Sequence, residues 1–338
     1  MDSTHPHIRT SAHPYISISV IIPTYRRPEL LKKCLKALAA QNLHKAMFEV
    51  IVVSDGPDEV TSKAITDWVN KGDVNLHYHH LPVKKGPAAA RNTGWRLAQA
   101  NLIAFTDDDC LPDSGWLTAL LNTYKDEDEN EMAFSGKIIV PVSKSPTDFE
   151  LNTKGLETAE FVTANCACTK NALLKVNGFD ERFHMAWRED SDLEFSLIQQ
   201  QVAIKRVQEA VVIHPVREAA WGISIKEQKK GMFNALLYKK YPLLYRRKIQ
   251  GGPAWNYYAM NLLFTLMIFG LIVKADWLTG AAFVGWSCLM MRFILKRISH
   301  ISRSNRNVLE MIVTSLAIPF LSVFWQLYGS WKYRVFLM

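Results

Sequence analysis

Three adjacent carboxylates, Asp107-Asp108-Asp109, are the residues best equipped for chemistry in this sequence. Like charges at that spacing repel, so a fold gathers them only where something cationic offsets the cost. Their hard oxygen atoms suit Mg²⁺ or Mn²⁺, which bind through one or two carboxylates and complete their shells on substrate phosphates. A metal held there would act as a Lewis acid on a departing diphosphate. The plainer reading is a solvated acidic loop. It fits less well, because the run directly follows the apolar segment Leu102-Ile103-Ala104-Phe105 and precedes Cys110-Leu111-Pro112. A second acidic pair, Glu189-Asp190, opens a helical segment, where carboxylates also complement the helix dipole.

The elements that must position these residues are legible in the apolar pattern. Ile18-Ser19-Val20-Ile21-Ile22 is β-branched, ends at Pro23 and predicts a buried parallel strand. Helical spacing follows from Glu29 to Ala40, then a strand over Glu49–Val53 closed by Ser54-Asp55-Gly56-Pro57. A helix over Val60–Asn70, a strand over Asn75–His79, a helix over Pro87–Gln99 and a strand over Leu102–Phe105 complete the alternation. Strands alternating with helices predict an α/β fold, a Rossmann-like and mostly parallel sheet with helices on both faces. Ligands of such sheets bind beyond the carboxyl ends of the strands, so Asp55 and Asp107 belong to one site. Farther on, the pattern predicts a helix over Trp116–Tyr124 and a strand over Ala133–Val140. Phe161–Thr169 reads as strand-like, Asp190–Gln201 as a helix, and Ala203–Val212 as a strand or two. Ile223–Tyr241 reads as one basic amphipathic helix.

The apolar residues are concentrated at the C-terminal end. Ala254–Val273 is a run of 20 residues without charge, long enough to cross a bilayer. Trp277–Met291 spans if it extends to about Leu295 with Arg292 snorkelling. Met311–Trp331 is a third uncharged stretch, interrupted by Pro319. The formal net charge of +8 is carried largely beside these segments, at Arg246-Arg247-Lys248 and from Arg292 to Arg306. Such placement points to a membrane surface rather than to nucleic acid. The positive-inside rule then puts the site-bearing region in the cytosol, at the inner membrane. The third segment resists that rule: if it crosses, Lys332 and Arg334 end outside. It is therefore expected to be either spanning or interfacial. The expected organisation is a flexible tail at 1–15, a catalytic domain at 16–222, a basic amphipathic interface helix and linker at 223–252, and a membrane region at 253–338. Its helices lie near 254–273, 277–295 and 308–331. The tail, with His5, His7 and His13, lacks the apolar core of a signal peptide. The five cysteines, Cys34, Cys110, Cys166, Cys168 and Cys288, read as reduced thiols.

Six segments together carry a resemblance. They are Val20-Ile21-Ile22-Pro23-Thr24-Tyr25-Arg26-Arg27, Val53-Ser54-Asp55-Gly56, Gly86-Pro87-Ala88-Ala89-Ala90-Arg91-Asn92, Phe105-Thr106-Asp107-Asp108-Asp109, Gly178-Phe179-Asp180-Glu181 and Glu189-Asp190-Ser191-Asp192-Leu193. In this order, over roughly residues 16–215, the chain resembles a family 2 inverting glycosyltransferase of GT-A fold, of the membrane-associated bacterial type. The usual Gly-Gly-Phe-Asp of that family reads Asn177-Gly178-Phe179-Asp180 here.

The resemblance implies a nucleotide-diphosphate sugar donor, with a UDP-sugar favoured, and a divalent metal, Mn²⁺ or Mg²⁺. Thr24 and Asp55 would hold the base and ribose, with Pro23, Tyr25 and Arg27 beside them. Arg91 would sit near the phosphates or sugar. Asp107 and Asp108 would face the donor, and Asp109 would bind the metal, joined by His214. Asp190 would be the general base, oriented by Glu189. Asn165, Trp187 and Arg188 would line the acceptor pocket. The implied acceptor is a hydroxyl of a lipid-linked or cell-envelope saccharide. Two alternatives stay open: a polyprenyl-phosphate sugar transferase, whose acceptor is already anionic, and a polysaccharide synthase that also translocates its product.

Overall fold

The computed structural model describes residues 16–71, 74–127 and 129–336. The tail expected at 1–15 lies outside the described residues. In chain order the elements are β1 (Ile18–Thr24), α1 (Pro28–Ala39), β2 (Phe48–Ser54), α2 (Glu59–Lys71), β3 (Leu76–His80), α3 (Pro87–Leu97) and β4 (Leu102–Phe105). Next come β5 (Leu111–Pro112), α4 (Trp116–Lys125), β6 (Met132–Ile139), α5 (Asp148–Lys154), β7 (Cys166–Thr169), α6 (Lys170–Val176), α7 (Glu189–Gln199) and β8 (Ala203–Ile213). The C-terminal part holds α8 (Ile223–Glu227), α9 (Met232–Lys240), α10 (Pro242–Lys248), α11 (Trp255–Ile272), α12 (Asp276–Ile298) and α13 (Asn305–Tyr333). The chain divides into two compact units that do not follow one cut in sequence. The first comprises 1–137, 163–178 and 202–212, and the second 138–162, 179–201 and 213–338.

The first unit is built on the sheet, in the order β3-β2-β1-β4-β7-β6-β8-β5. β3, β2, β1 and β4 run parallel to one another, whereas β7 runs antiparallel to β4 and to β6. Every residue of β1, β2 and β4 is buried. That is why their sequences read as continuous apolar runs rather than alternating ones. β1 continues through Pro23 to Thr24. β4 pairs with β1 only as far as Ile21, so the proline's missing N–H leaves no gap on that side. α3 lies on β1, and a Cβ on Gly94 would come within 2.4 Å of Ile21 Cγ2. Ala88, Ala89 and Ala90 keep the same helix close to the sheet, and Arg91 follows them, buried.

The sequence reading differs in the middle of the chain. Phe161–Thr169 is not one strand: Thr163–Asn165 form a 3-10 turn, and β7 starts only at Cys166. Ala203–Ile213 is a single strand.

The second unit is organised by α7 and α9. Phe183, Phe195, Phe233, Leu236, Leu237 and Tyr245 form its core, with Trp325 and Tyr328 of α13 packed against it. Truncating a buried ring such as Phe233 costs about 3–5 kcal/mol. The expected single helix over 223–241 is broken into α8, a 3-10 turn at Gln228–Gly231 and α9. α9 is held by burial of its apolar residues rather than by an amphipathic surface face. α11, α12 and α13 are each long and apolar enough to cross a membrane, and α13 runs unbroken through Pro319.

Candidate active site

The carboxyl ends of β1, β2 and β4 carry the first cluster. The Asp55 N–H donates to Thr24 O at 2.8 Å, which joins the ends of β1 and β2. Asp55 is buried, and its Oδ1 accepts the backbone N–H groups of Lys85 and Gly86, both at 2.7 Å. Beside it the Lys84 ammonium lies 4.0 Å from the Tyr25 ring centroid. This turn is fixed from below by Asp58, whose Oδ2 accepts the Arg26 N–H at 2.6 Å and the Thr61 hydroxyl at 2.6 Å. Burial raises the Asp58 carboxyl, but these donors outweigh it and hold the group below its ordinary value.

The three aspartates beyond β4 point to different partners. Asp107 Oδ1 accepts from the buried Arg91 guanidinium at 2.6 Å. Asp108 Oδ2 accepts the Thr24 hydroxyl at 2.8 Å, and Arg27 Nη1 stands 3.4 Å from Oδ1. Burial and the neighbouring Asp109 push the Asp108 carboxyl up to about 6, against the pull of Arg27 and Thr24. The two guanidiniums supply the positive charge that such a run requires. Asp107, Asp109 and Cys110 each offer an atom within 4.8 Å of the others. Burial, then the charges of Asp107 and Asp109, hold the Cys110 thiol well above its ordinary value, so it stays protonated. The two carboxylates are therefore the fitting donors for a hard cation. The same loop runs along β8, since the Asp113 N–H donates to Val211 O at 3.0 Å.

Asn165 serves the scaffold of this unit. It is fully buried, and its Oδ1 accepts the Trp116 indole N–H at 2.8 Å. Its Nδ2 donates to Lys137 O and Ala210 O, each at 2.8 Å. The amide has no exposed surface, its oxygen is engaged by α4, and both of its N–H groups are engaged by β6 and β8.

In the second unit, Glu189 and Asp190 open α7, with Glu189 buried and Asp190 partly exposed. Asp190 Oδ1 accepts the Ser191 N–H at 2.6 Å. Arg188 precedes them with φ +72°, a left-handed conformation that turns the chain into the helix. Its Nε donates to Asn234 Oδ1 of α9 at 2.9 Å, and its guanidinium lies over the Trp187 ring at 4.8 Å. Trp187 is 40% exposed. His214 directly follows β8, is nearly buried, and its N–H donates to Ile139 O at 2.8 Å.

Comparison with known families matches residues 19–183 to the glycosyl transferase family 2 model. The chain carries a family 2 glycosyltransferase domain. The match contains Thr24, Asp55, Arg91, Asp107–Asp109 and Asn165, whereas Glu189, Asp190 and His214 lie beyond it. Glycosyltransferase AglE of Haloferax volcanii is 36% identical over 114 residues, 34% of this chain and 36% of that protein. GalNAc(5)-diNAcBac-PP-undecaprenol beta-1,3-glucosyltransferase of Campylobacter jejuni is 27% identical over 180 residues, 49% of this chain and 56% of that protein. The chain spans between about a sixth and a little over half of the length of the curated relatives it matches. Among solved structures, a mannosyltransferase from Pyrobaculum calidifontis in complex with GDP-Man and Mn²⁺ aligns with TM-score 0.56. It is 16% identical, over 94% of this chain and 88% of that one. The fold is GT-A.

Two supports of the glycosyltransferase domain and its second unit escaped the sequence reading. No motif singles out Asp58, and only its contact with Arg26 gives it a task. The resemblance gives Asp180 a place in a motif and no role. Both Asp180 carboxylate oxygens accept from Arg182, and Asp180 meets Lys240 at 2.8 Å, while Lys240 also meets Asp192 at 2.5 Å. This trio ties the segment before α7 to α7 and α9. The pattern Phe179-Asp180 marks it, but its cationic partner lies 60 residues on.

Proposed function

We propose that this chain transfers a sugar from a nucleoside diphosphate donor to a hydroxyl of a lipid-linked or saccharide acceptor, with inversion at the anomeric carbon. The observation that carries the reading is the acidic loop beyond β4, braced by Thr24, Arg27 and Arg91 and adjoining the buried Asp55. Asp55 spends Oδ1 on backbone N–H groups, which leaves Oδ2 to meet the base or ribose of the donor. Tyr25 and Lys84 flank that position. Arg91 and Arg27 offset donor phosphate charge once the aspartates are shared with a cation.

Asp109 and Asp107 would hold a divalent ion, with His214 as a further ligand. Mn²⁺ or Mg²⁺ bound there would supply Lewis-acid stabilisation of the nucleoside diphosphate leaving group. Chain continuity supports this role: His214 stands three residues after Val211, whose carbonyl accepts the Asp113 N–H of the acidic loop. Asp190 would accept the proton of the acceptor hydroxyl. That oxygen then bonds to the anomeric carbon as the bond from that carbon to the diphosphate oxygen breaks. Glu189, buried at the same helix start, would orient Asp190, with Trp187 and Arg188 flanking the acceptor. Support for a lipid-linked acceptor comes from the three apolar helices and from the Campylobacter relative, whose name places its acceptor on PP-undecaprenol.

A thermal-shift screen of nucleoside diphosphates, with and without Mn²⁺, tests donor and metal together. Stabilisation of about 2.7 kcal/mol is expected at a hundredfold excess over Kd for one nucleotide, dependent on Mn²⁺ and absent in Asp109→Ala. Equal shifts in Asp109→Ala would sink the metal assignment. Inversion is read separately, from the anomeric configurations of donor and product by NMR.

A further inference from the structure

α13 follows one edge of the second unit along most of its length. Near its start, Glu310 Oε1 accepts the Gly222 N–H at 2.7 Å. One turn on, the largely buried Arg297 guanidinium donates to Thr314 Oγ1 at 2.7 Å and Ser315 Oγ at 2.9 Å, while its other nitrogen binds Asp148 at 2.9 Å. Farther along, the Lys229 ammonium lies 5.7 Å from the Trp325 ring centroid. Gly329 comes so close to α9 that a Cβ there would meet Met232 O at 2.4 Å. At the far end Lys239 Nζ donates to Tyr333 O at 2.8 Å. Residues 310–333 therefore run beside 222–240 in the same direction, over roughly 35 Å of helix.

The adjoining stretch carries Lys226, Glu227, Lys229, Lys230, Lys239 and Lys240. α13 cannot cross the hydrocarbon core without drawing these charges in, at about 2.5–3.5 kcal/mol for each at the bilayer centre. Its outward side is nevertheless apolar. Leu309, Ile312, Leu316, Phe324, Leu327 and Trp331 are all exposed, and their spacing puts them on one helical face. Met311, Thr314, Ile318 and Gly329 occupy the opposite, buried face. A helix with one packed face and one continuous apolar stripe has the form of an interfacial helix.

We propose that α13 lies in the plane of the bilayer, with this stripe sunk into the leaflet next to the second unit, and that only the α11–α12 hairpin crosses. The occupant of the stripe is lipid with anionic headgroups. Arg303 and Arg306 at one end of α13, and Lys332 and Arg334 at the other, are all exposed. With α13 flat, both pairs stay on the same side as Arg246-Arg247-Lys248, as the positive-inside rule requires and a crossing helix would violate. The exposed Ile268, Phe269, Ile272 and Phe283 extend the apolar surface from the stripe along the hairpin. The inference is independent of the transfer reaction.

Cysteine labelling in sealed membrane vesicles tests it. Arg306→Cys, Lys332→Cys and Lys274→Cys are each made in the full chain carrying Cys288→Ala, since the other four cysteines are buried. Gln199→Cys, exposed on α7, serves as the reference for the side occupied by the second unit. A membrane-impermeant maleimide should label Arg306→Cys and Lys332→Cys from the Gln199 side and Lys274→Cys from the other. Lys332→Cys reacting with the Lys274 set, or only after detergent, would overturn the flat placement of α13. Lys274→Cys reacting from the Gln199 side would overturn the crossing hairpin. Unchanged melting temperatures of the variants in detergent exclude misfolding as the cause of either result.

Discussion

Asn165→Ala should destabilise the first unit without touching acceptor recognition. The amide makes three hydrogen bonds, and all its partners are protein atoms: Trp116 Nε1, Lys137 O and Ala210 O, each at 2.8 Å. Trp116 is fully buried, so alanine leaves its indole N–H without a partner, at about 1–3 kcal/mol. The two carbonyls each lose one bond but keep a second lone pair for the sheet, adding about 0.5–1.5 kcal/mol apiece. The sum is roughly 2–6 kcal/mol, and each kcal/mol corresponds to about 2–4 °C in Tm for a domain of this size. Thermal unfolding followed by tryptophan fluorescence in detergent measures it, and kinetics normalised to folded protein measure function. Acceptor KM should stay at the wild-type value. Trp116→Phe should cost less, and the double variant should cost less than the sum, because both changes remove the same bond. Wild-type stability combined with a raised acceptor KM would refute the scaffold assignment and return Asn165 to the pocket.

Other variants separate the remaining roles. Asp190→Asn should lower kcat by about 10²- to 10⁴-fold with donor KM little changed, as expected for loss of a general base; a polyprenyl-phosphate acceptor, which needs no base, would leave kcat intact. Asp109→Ala should abolish Mn²⁺-dependent transfer while Tm without ligand stays near wild type. Lys240→Met strands the buried Asp192 carboxylate and leaves Asp180 to Arg182 alone, and should cost about 3–5 kcal/mol, read from denaturant unfolding. Burial raises the Asp180 carboxyl, yet hydrogen bonds from Arg182 and Lys240 outweigh it and hold the group well below its ordinary value. A carboxyl depressed in the folded state binds protons less readily than in the unfolded chain. Its contribution is therefore complete above about pH 4 and is lost as pH falls further. Wild-type stability should drop more steeply below pH 4 than that of Asp180→Asn, and parallel curves would refute the pairing.

The parallel half of the sheet was legible because β1, β2 and β4 are buried on both faces; β1 ends at Pro23-Thr24, β2 runs into Asp55-Gly56 and β4 into Thr106-Asp107. Continuous apolar runs and turn residues then coincide with the strand ends. The acidic loop was legible for the same reason. Thr163–Asn165 was not, because its conformation is set by the backbone carbonyls of Lys137 and Ala210, which are distant in sequence and which any residue type would supply. The division of 223–241 was hidden because its charges suggested a surface face, whereas Phe233, Leu236 and Leu237 of α9 are drawn into the core with Phe183 and Phe195. From sequence alone Asp108 has no partner within the chain; its hydrogen bond to Thr24 spans 84 positions and is found only in three dimensions. α13 shows the same limit, since hydropathy describes its apolar stripe but not the contact of Gly329 with Met232 that fixes its direction.

Product analysis with the purified full chain tests sugar transfer most directly. Nucleoside diphosphate sugars are supplied with lipid-linked and saccharide acceptors, with and without Mn²⁺, and both released nucleotide and acceptor mass are measured. One donor should yield nucleoside diphosphate in step with an acceptor heavier by one sugar, and chelation or Asp109→Ala should stop both. Pyrophosphate in place of nucleoside diphosphate, or no glycosylated acceptor from any donor, would contradict sugar transfer at this site.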